Sequence, residues 1–446
     1  MKELPLQISK ENPVTRNPRV VFLIFLSIFI SSITFFNKPF EGYLHYIIFL
    51  ILLPGFYSSF GFPKAPLQIL SIPFVVGVLE ILAGNNTTAL FFKIFIGVLL
   101  SSTFYFYVIR YFEEDTETLF KLFLYGCYIT AIIGIVQVIS YNIGFTPGYN
   151  YRWLLNKWSV VRGAVWGIRM NSIYPEASQC AIMLGPAAFV TMYNLVYGTD
   201  YFLSRGKGLI ILLAMVLTTS STGFIGLFFC LILLAINFAR IGTFIAVTAV
   251  AMGLGFVVYN SIPEVQKRVD SAIGLWVDKD FSVENVNSSS FVLFNNYHIS
   301  FRNLREHPLM GTGLGSHALA FEKYTLTRQA GILDINFNKF DANSLFLRLV
   351  SETGLIGVSL AILFLFRFHV SRNKDQSGKQ LWMISNGILV IILMYMVRQG
   401  NYFLNGFPFF IWLYYYVYLK SRPAELKESE AGDNTHQQNQ ESFVRN

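Results

Sequence analysis

The chain has 446 residues, of which 54% are hydrophobic, 17% aromatic and only 13% charged, about half the charge of an ordinary soluble domain. About 241 apolar residues at about 20 per membrane helix correspond to roughly 12 spans. That excludes a soluble globular enzyme and a disordered chain, and long apolar runs without alternation argue against a β-barrel.

The net charge of +8 comes from 34 Lys and Arg against 26 Asp and Glu. With no soluble basic domain in view, this excess reads first as an orientation signal across a membrane; no nucleic-acid partner is expected. Cys127, Cys180 and Cys230 all lie inside apolar runs without CxxC spacing and read as small core residues.

Apolar runs occupy 20–36, 43–60, 66–83, 88–110, 118–141, 175–197, 209–220, 222–238, 241–260, 342–366, 381–397 and 402–419. The polar segment 1–19 precedes the first run without a cleavage site, so that run reads as a first span. Between runs seven and eight lies TTSSTG, 218–223. The two runs are either half-helices meeting inside the protein or one long bent helix. Counting them separately places most basic residues on one side, with both termini in the cytoplasm. Merging them would send the Arg367–Lys379 cluster outside, so the charges favour separate spans.

The expected fold is therefore an all-α integral membrane protein of about 12 transmembrane helices. It has a cytoplasmic N-terminus (1–19), a membrane domain (20–420) with long outer loops at 142–174 and 261–341, and a polar, disordered cytoplasmic tail (421–446).

The first outer loop carries Trp153, Trp158 and Trp166, with Arg152, Lys157, Arg162 and Arg169 and no acid. Arg162, Trp166 and Arg169 have i, i+4, i+7 spacing, which puts them on one face of a helix. Two guanidiniums around an indole suit a diphosphate and a sugar ring. The competing reading is an interfacial helix, with Trp at the headgroups and Arg on lipid phosphate. Glu176 follows Pro175 at the start of the sixth span. It is either a carboxylate able to take a proton from a sugar hydroxyl or an ordinary acidic helix start with Pro at N1.

The second loop contains Phe294, Tyr297, Phe301 and Leu304 in an apolar stripe, and His298, Arg302 and Arg305 in a polar one. The spacing predicts an amphipathic helix ending near Pro308. A lone His on such a helix is more often a surface residue than a catalyst. A glycine loop follows at 311–315; it lacks the spacing and the preceding strand of a dinucleotide fingerprint. Asn343 reads as the N-cap of the tenth span, and Glu352 lies about two turns in, facing protein interior or a wet cavity. Glu80 and Lys93 flank a short turn and are expected to pair. The six histidines form no metal-ligand spacing and there is no P-loop, so no cofactor or metal is expected, and any reaction must draw on an activated substrate.

Four stretches together resemble the bacterial O-antigen polymerase and O-antigen ligase family of polytopic membrane glycosyltransferases. They are RMNSIYPEAS (169–178), TTSSTG (218–223), REHPLMGTGLG (305–315) and DANSLFLRLVSETGLIG (341–357). The resemblance implies transfer of an oligosaccharide from undecaprenyl diphosphate to an acceptor sugar, at the outer face of the bacterial inner membrane. Neither nucleotide sugar nor metal is implied. Expected partners are the lipid-linked oligosaccharide, membrane lipids and a chain-length regulator protein. The polymerase extends a second lipid-linked unit; the ligase loads lipid A-core. The ligase-like pattern has a His directly before the Asn opening the late span, where this chain has Ala342 before Asn343. Glu176-Ala177-Ser178 resembles the E-P-S of polysaccharide polymerases, so polymerase is favoured.

On this reading Arg162 and Arg169, with Arg302 or Arg305, hold the diphosphate, and Trp166, Ser178 and Asn343 complete the binding set. Glu176 is the first candidate base, with Asp341 and His298 in reserve. A lipid-linked oligosaccharide flippase is the alternative of another class, and a membrane scaffold a third. Concentration of polar residues in two outer loops favours chemistry over both.

Overall fold

A computed structural model describes residues 16–36, 41–163, 166–238, 242, 253, 259–260, 266, 269–271, 273–278, 288–327, 338–374 and 380–422. The fold is all-α, with a two-stranded hairpin among the described residues. The chain begins with α1 (Pro18–Phe29), α2 (Leu44–Phe60), α3 (Lys64–Leu82), α4 (Thr88–Tyr111) and α5 (Thr116–Asn142) among the described residues. A single turn, α6 (Thr146–Tyr149), leads to β1 (Val161–Arg162) and β2 (Ile168–Arg169). Then come α7 (Ala177–Tyr197), α8 (Arg205–Leu217) and α9 (Ser221–Phe238). After a π-helical turn (Gly274–Asp278) follow α10 (Ser288–Glu306), α11 (His317–Tyr324), α12 (Leu345–Arg367), α13 (Leu381–Arg398) and α14 (Phe407–Ser421). Each apolar run except the ninth, 241–260, is thus occupied by a helix; all of that run but 242, 253, 259 and 260, the tail from 423 and residues 1–15 lie outside the described residues.

Side chains with local oxygen acceptors start several of these helices. Asn17, Thr87, Asp115 and Ser344 each accept a first-turn backbone N–H of α1, α4, α5 and α12. Pro54, Pro73 and Pro186 sit inside α2, α3 and α7, as membrane helices tolerate. Helix α1 stops well before the end of its apolar run. Beyond it Thr34 bridges Tyr43, and the Ser31 and Ser32 hydroxyls donate to Gln179 Oε1 and the Ile173 carbonyl.

Helices α7 and α13 form the centre of the bundle, with 78% and 72% of their apolar windows buried. Helix α3 buries only 17%; with the distal half of α12 it presents leucine, isoleucine and phenylalanine outward, as lipid-facing helices do. Small residues allow the central helices to approach closely. A Cβ on Gly185 would lie 2.8 Å from Met394 Sδ, and one on Gly226 2.5 Å from Met394 Cε.

The TTSSTG stretch is a chain reversal, not a bend. Gly208 of α8 lies against Thr191 of α7, whereas Gly223 and Cys230 of α9 meet Ala181 and Gly185. So α8 runs antiparallel to α7 and α9 runs parallel to it, as separate spans require. The turn at 218–220, with Thr219 at φ +46°, lies at the same end of the bundle as Glu176. Cys127, Cys180 and Cys230 are buried core thiols.

Candidate active site

The glycine loop and the ETGLIG segment are two halves of one backbone clasp. Helix α12 is interrupted at Gly354 (φ +59°, ψ −159°). There the Leu355 and Ile356 amides donate to the Pro308 and Leu309 carbonyls at 2.9 and 3.0 Å, and Gly313 N–H donates to the Glu352 carbonyl at 2.8 Å. The broken ladder is thus satisfied by an inserted loop, the condition under which irregular backbone survives at membrane depth. Asn303 of α10 seals the clasp by donating to Thr312 Oγ1 and to the Ser351 carbonyl, both at 2.9 Å. Asn86 donates to the Leu314 carbonyl at 2.9 Å, which docks the loop on the α3–α4 turn.

The RMNSIYPEAS stretch is fixed from below. Gln137 of α5 accepts the Ser172 N–H at 2.9 Å and donates to Asn171 Oδ1 at 2.8 Å. Ser172, at φ +49°, donates its hydroxyl to the Thr130 carbonyl at 2.8 Å. This seats Glu176 as the N-cap of α7, so Pro175 precedes the cap and does not occupy N1. Glu176 is exposed, and Ser178 Oγ donates to its Oε2 at 2.8 Å.

Asp341 lies close enough to Glu176 for the two carboxyls to repel. Its Oδ1 accepts Asn338 Nδ2 at 2.8 Å and Asn343 N–H at 3.0 Å. Burial raises its affinity for a proton; those hydrogen bonds and Arg348 oppose the rise, and Glu176 adds to it. Ala342 and Asn343 both adopt φ +56°, an uncommon conformation for residues with a Cβ. Ser344, not Asn343, caps α12; the left-handed pair at 342–343 turns the chain into the helix one residue later.

A buried ion pair stands behind Asp341. Arg348 and Glu352, with side chains 1% and 0% exposed, pair at 2.9 Å. Arg348 Nη1 donates to the Gly400 carbonyl at 2.9 Å, its guanidinium lies 4.3 Å from the Tyr402 ring centroid, and Tyr402 OH donates to Glu352 Oε2 at 2.9 Å. Gly400 in turn abuts Asp341: a Cβ there would stand 1.4 Å from the Asp341 carbonyl oxygen. Arg398, at the end of α13, interacts electrostatically with Glu176. One end of the bundle therefore gathers Glu176, Asp341, Arg348, Glu352, Arg398 and Tyr402.

Sequence reasoning missed Arg348 and Arg398. Arg348 is the one basic residue within the apolar run 342–366, four residues before Glu352. Helical i, i+4 spacing of opposite charges inside a span was the available signal. Arg398 offered only its place at the end of a span.

The Arg162, Trp166 and Arg169 stripe is corrected. These residues form a hairpin, with Gly163 and Gly167 at φ +93° and +91°, values that a helix does not accommodate. Arg162 pairs with Ile168 and Val161 with Arg169, so the two guanidiniums project to opposite faces. Arg162 is exposed, while Arg169 Nε reaches the Thr218 carbonyl at 3.5 Å. Trp166 Nε1 donates to the Leu217 carbonyl at 3.2 Å, so the hairpin covers the carbonyl end of α8. Trp158 is buried to 2% exposure and donates to the Ser172 carbonyl, which removes it from sugar binding; Trp153 is the open ring, 75% exposed.

Helix α10 stops where predicted, just before Pro308, and Arg302 and Arg305 are exposed beside a half-buried His298. Burial and the two arginines lower the His298 pKa. Its packed face differs from the expected apolar stripe: Asn295, Asn296, Ile299, Ser300 and Asn303 are buried, while Tyr297 is 38% exposed. The asparagines face inward because they bond the loops; Asn296 Oδ1 contacts His317 Nε2 at 2.9 Å. Glu80 and Lys93 do not pair: Glu80 accepts from Asn85 at 2.8 Å, and Lys93 lies over the Phe340 ring.

A family profile described as O-antigen ligase matches residues 208–362. No curated protein matches the chain. The family comprises glycosyltransferase-like membrane enzymes. The matched residues, 208–362, contain the glycine loop, Asp341 and the Arg348–Glu352 pair, and over that stretch the chain is similar to the O-antigen ligase family.

Proposed function

We propose that this protein polymerises lipid-linked oligosaccharide repeat units at the outer face of the bacterial inner membrane, with the Glu176 end of the bundle outside. The observation that carries this reading is the convergence of two carboxyls, Glu176 and Asp341, with arginines at one end of the spans. A flippase needs such groups along a path through the bundle.

In the proposed step an acceptor hydroxyl gives its proton to a carboxylate as its oxygen bonds the anomeric carbon of the donor. The bond from that carbon to the diphosphate oxygen breaks, and its electron pair leaves with undecaprenyl diphosphate. Asp341 is now preferred over Glu176 as the base, because its raised proton affinity suits acid–base exchange nearer neutral pH. Glu176, steadied by Ser178, orients sugar hydroxyls. Arg398 and Arg169 are assigned to the diphosphate, whose developing charge needs fixed cations.

The ligase reading differs in acceptor, lipid A-core in place of a second lipid-linked unit, and the matched family is described by that activity. Ala342 favours polymerase: the position before Asn343 is fully buried and carries no imidazole. The test is incubation of purified protein with one lipid-diphosphate-linked repeat unit. A ladder of polymers on undecaprenyl diphosphate supports the reading. Transfer to lipid A-core without any ladder overturns it.

A further inference from the structure

A buried Arg–Glu pair is a poor device for stability alone. Both ions lose their water, and apolar side chains of similar volume often serve a fold as well or better. Arg348 nevertheless makes contacts that packing does not require. Its Nε binds Glu352 and its Nη1 binds the Gly400 carbonyl, each at 2.9 Å. Its Nη2 is buried with no hydrogen-bond partner among the described residues, a cost that calls for a role. The Gly400 segment joins α13 to α14 and holds Arg398 on one side and Tyr402 on the other. Ser344 Oγ, donating to the Met396 carbonyl at 2.6 Å, ties the start of α12 to α13 one turn away. Gly400 lies so close to Asp341 that no side chain fits between them.

We propose that Arg348 is a positioning residue: by fastening the Gly400 segment to α12 it holds Asp341 and Arg398 in register across one substrate. This rests on the reading of Asp341 as the acid–base group. Asp341 is surrounded by Glu176 of α7, Arg348 of α12 and Tyr43 before α2, with Lys93 of α4 and Lys339 against the neighbouring Phe340 ring. Arg398 and Tyr402 complete the set from the α13–α14 connection. Glu176 drives the Asp341 carboxyl towards the protonated form and Arg348 away from it. Loss of Arg348 therefore has a second signature besides misalignment.

The decisive variant is Arg348→Met with Glu352→Met, which removes both buried charges together. We expect normal membrane insertion and retained thermal stability in detergent. Polymerisation should fall about 100-fold, the scale of a small misplacement of reacting groups, and the acid limb of the pH–rate profile should move to higher pH. Wild-type rate and profile in that variant overturn the proposal. Should the double variant not fold, Arg348→Lys decides. A lysine keeps the cation but offers one nitrogen in place of the two that reach Glu352 and the Gly400 carbonyl, so an intermediate loss of rate with an unmoved acid limb is expected, and an unchanged enzyme overturns the role. Asp341→Asn is measured alongside. Full activity there overturns the acid–base reading and the positioning role with it, whereas an inactive Asp341→Asn beside an unaffected double variant removes the positioning role alone.

Discussion

Gly311 and Gly354 meet backbone to backbone. A Cβ on Gly311 would lie 2.6 Å from the Glu352 carbonyl carbon, and one on Gly354 would lie 2.6 Å from the Gly311 nitrogen. Both residues have positive φ, +66° and +59°. Alanine at either position thus meets a steric wall and an unfavourable backbone. We expect Gly354→Ala to destabilise the protein by at least about 1–3 kcal/mol and to abolish polymerisation, because the clasp sets the start of α12. Thermal inactivation in detergent, compared with Gly55→Ala in α2 as a control where an added Cβ meets open space, measures this. Equal stability of the two variants would show that the clasp is dispensable.

Asp341→Asn separates chemistry from folding. The amide oxygen can still accept from Asn338 and Asn343, so the turn at 341–343 persists. As the base, Asp341 should be worth about 10²–10⁴-fold in rate. The sign of the stability effect is opposite. A carboxyl whose folded pKa lies above its unfolded value is best tolerated below the unfolded pKa, and its stability contribution falls as pH rises through the folded one. At neutral pH the Asn variant should therefore be at least as stable as the wild type while inactive. An inactive variant that also melts earlier would assign Asp341 to structure.

The span pattern was legible in the sequence because apolar runs and cation placement are local properties. Helices fill the runs among the described residues, and α8 and α9 reverse, as counting them separately predicts. The site was legible only as motifs. Glu176 and Asp341 stood out because they are acids at span starts, yet their approach depends on α7 and the α12 cap meeting across many intervening residues. Arg348 was hidden in FLRLV, where one cation reads as a blemish in an apolar run until its partner four residues on is considered. The false helix at 162–169 arose from reading a spacing of four and three without weighing Gly163 and Gly167, which break a helix and permit a hairpin.

The hairpin places Arg162 and Arg169 on opposite faces. Arg162 is exposed and on the opposite face from Arg169, whereas Arg398 interacts with Glu176. Arg162→Ala should leave polymer length and rate within about twofold of wild type, as surface changes within about 0.5 kcal/mol do. Arg398→Ala should lose about 100-fold or more if it stabilises the leaving diphosphate. Rates with a purified lipid-linked repeat unit decide, and a larger loss for Arg162→Ala would return the diphosphate to the hairpin.

His317 gives the fold a predictable acid sensitivity. It is fully buried at the start of α11, its Nε2 contacts Asn296, and its Nδ1 has no partner among the described residues. Burial, with the nearby Arg348 charge, pushes its pKa well below the ordinary histidine value. A folded pKa below the unfolded one means that its contribution is complete above about pH 6.5 and is lost as pH falls below it, because the unfolded chain then binds the proton that the folded chain refuses. The slope from one such group approaches about 1.4 kcal/mol per pH unit. Melting temperatures measured from pH 7.5 to 5 should fall for the wild type and fall less for His317→Gln, whose amide can still meet Asn296 and never takes up a proton. Parallel curves for the two proteins would mean that the acid sensitivity arises elsewhere, with Asp341 excluded as its source because its raised carboxyl pKa stabilises the folded state on acidification.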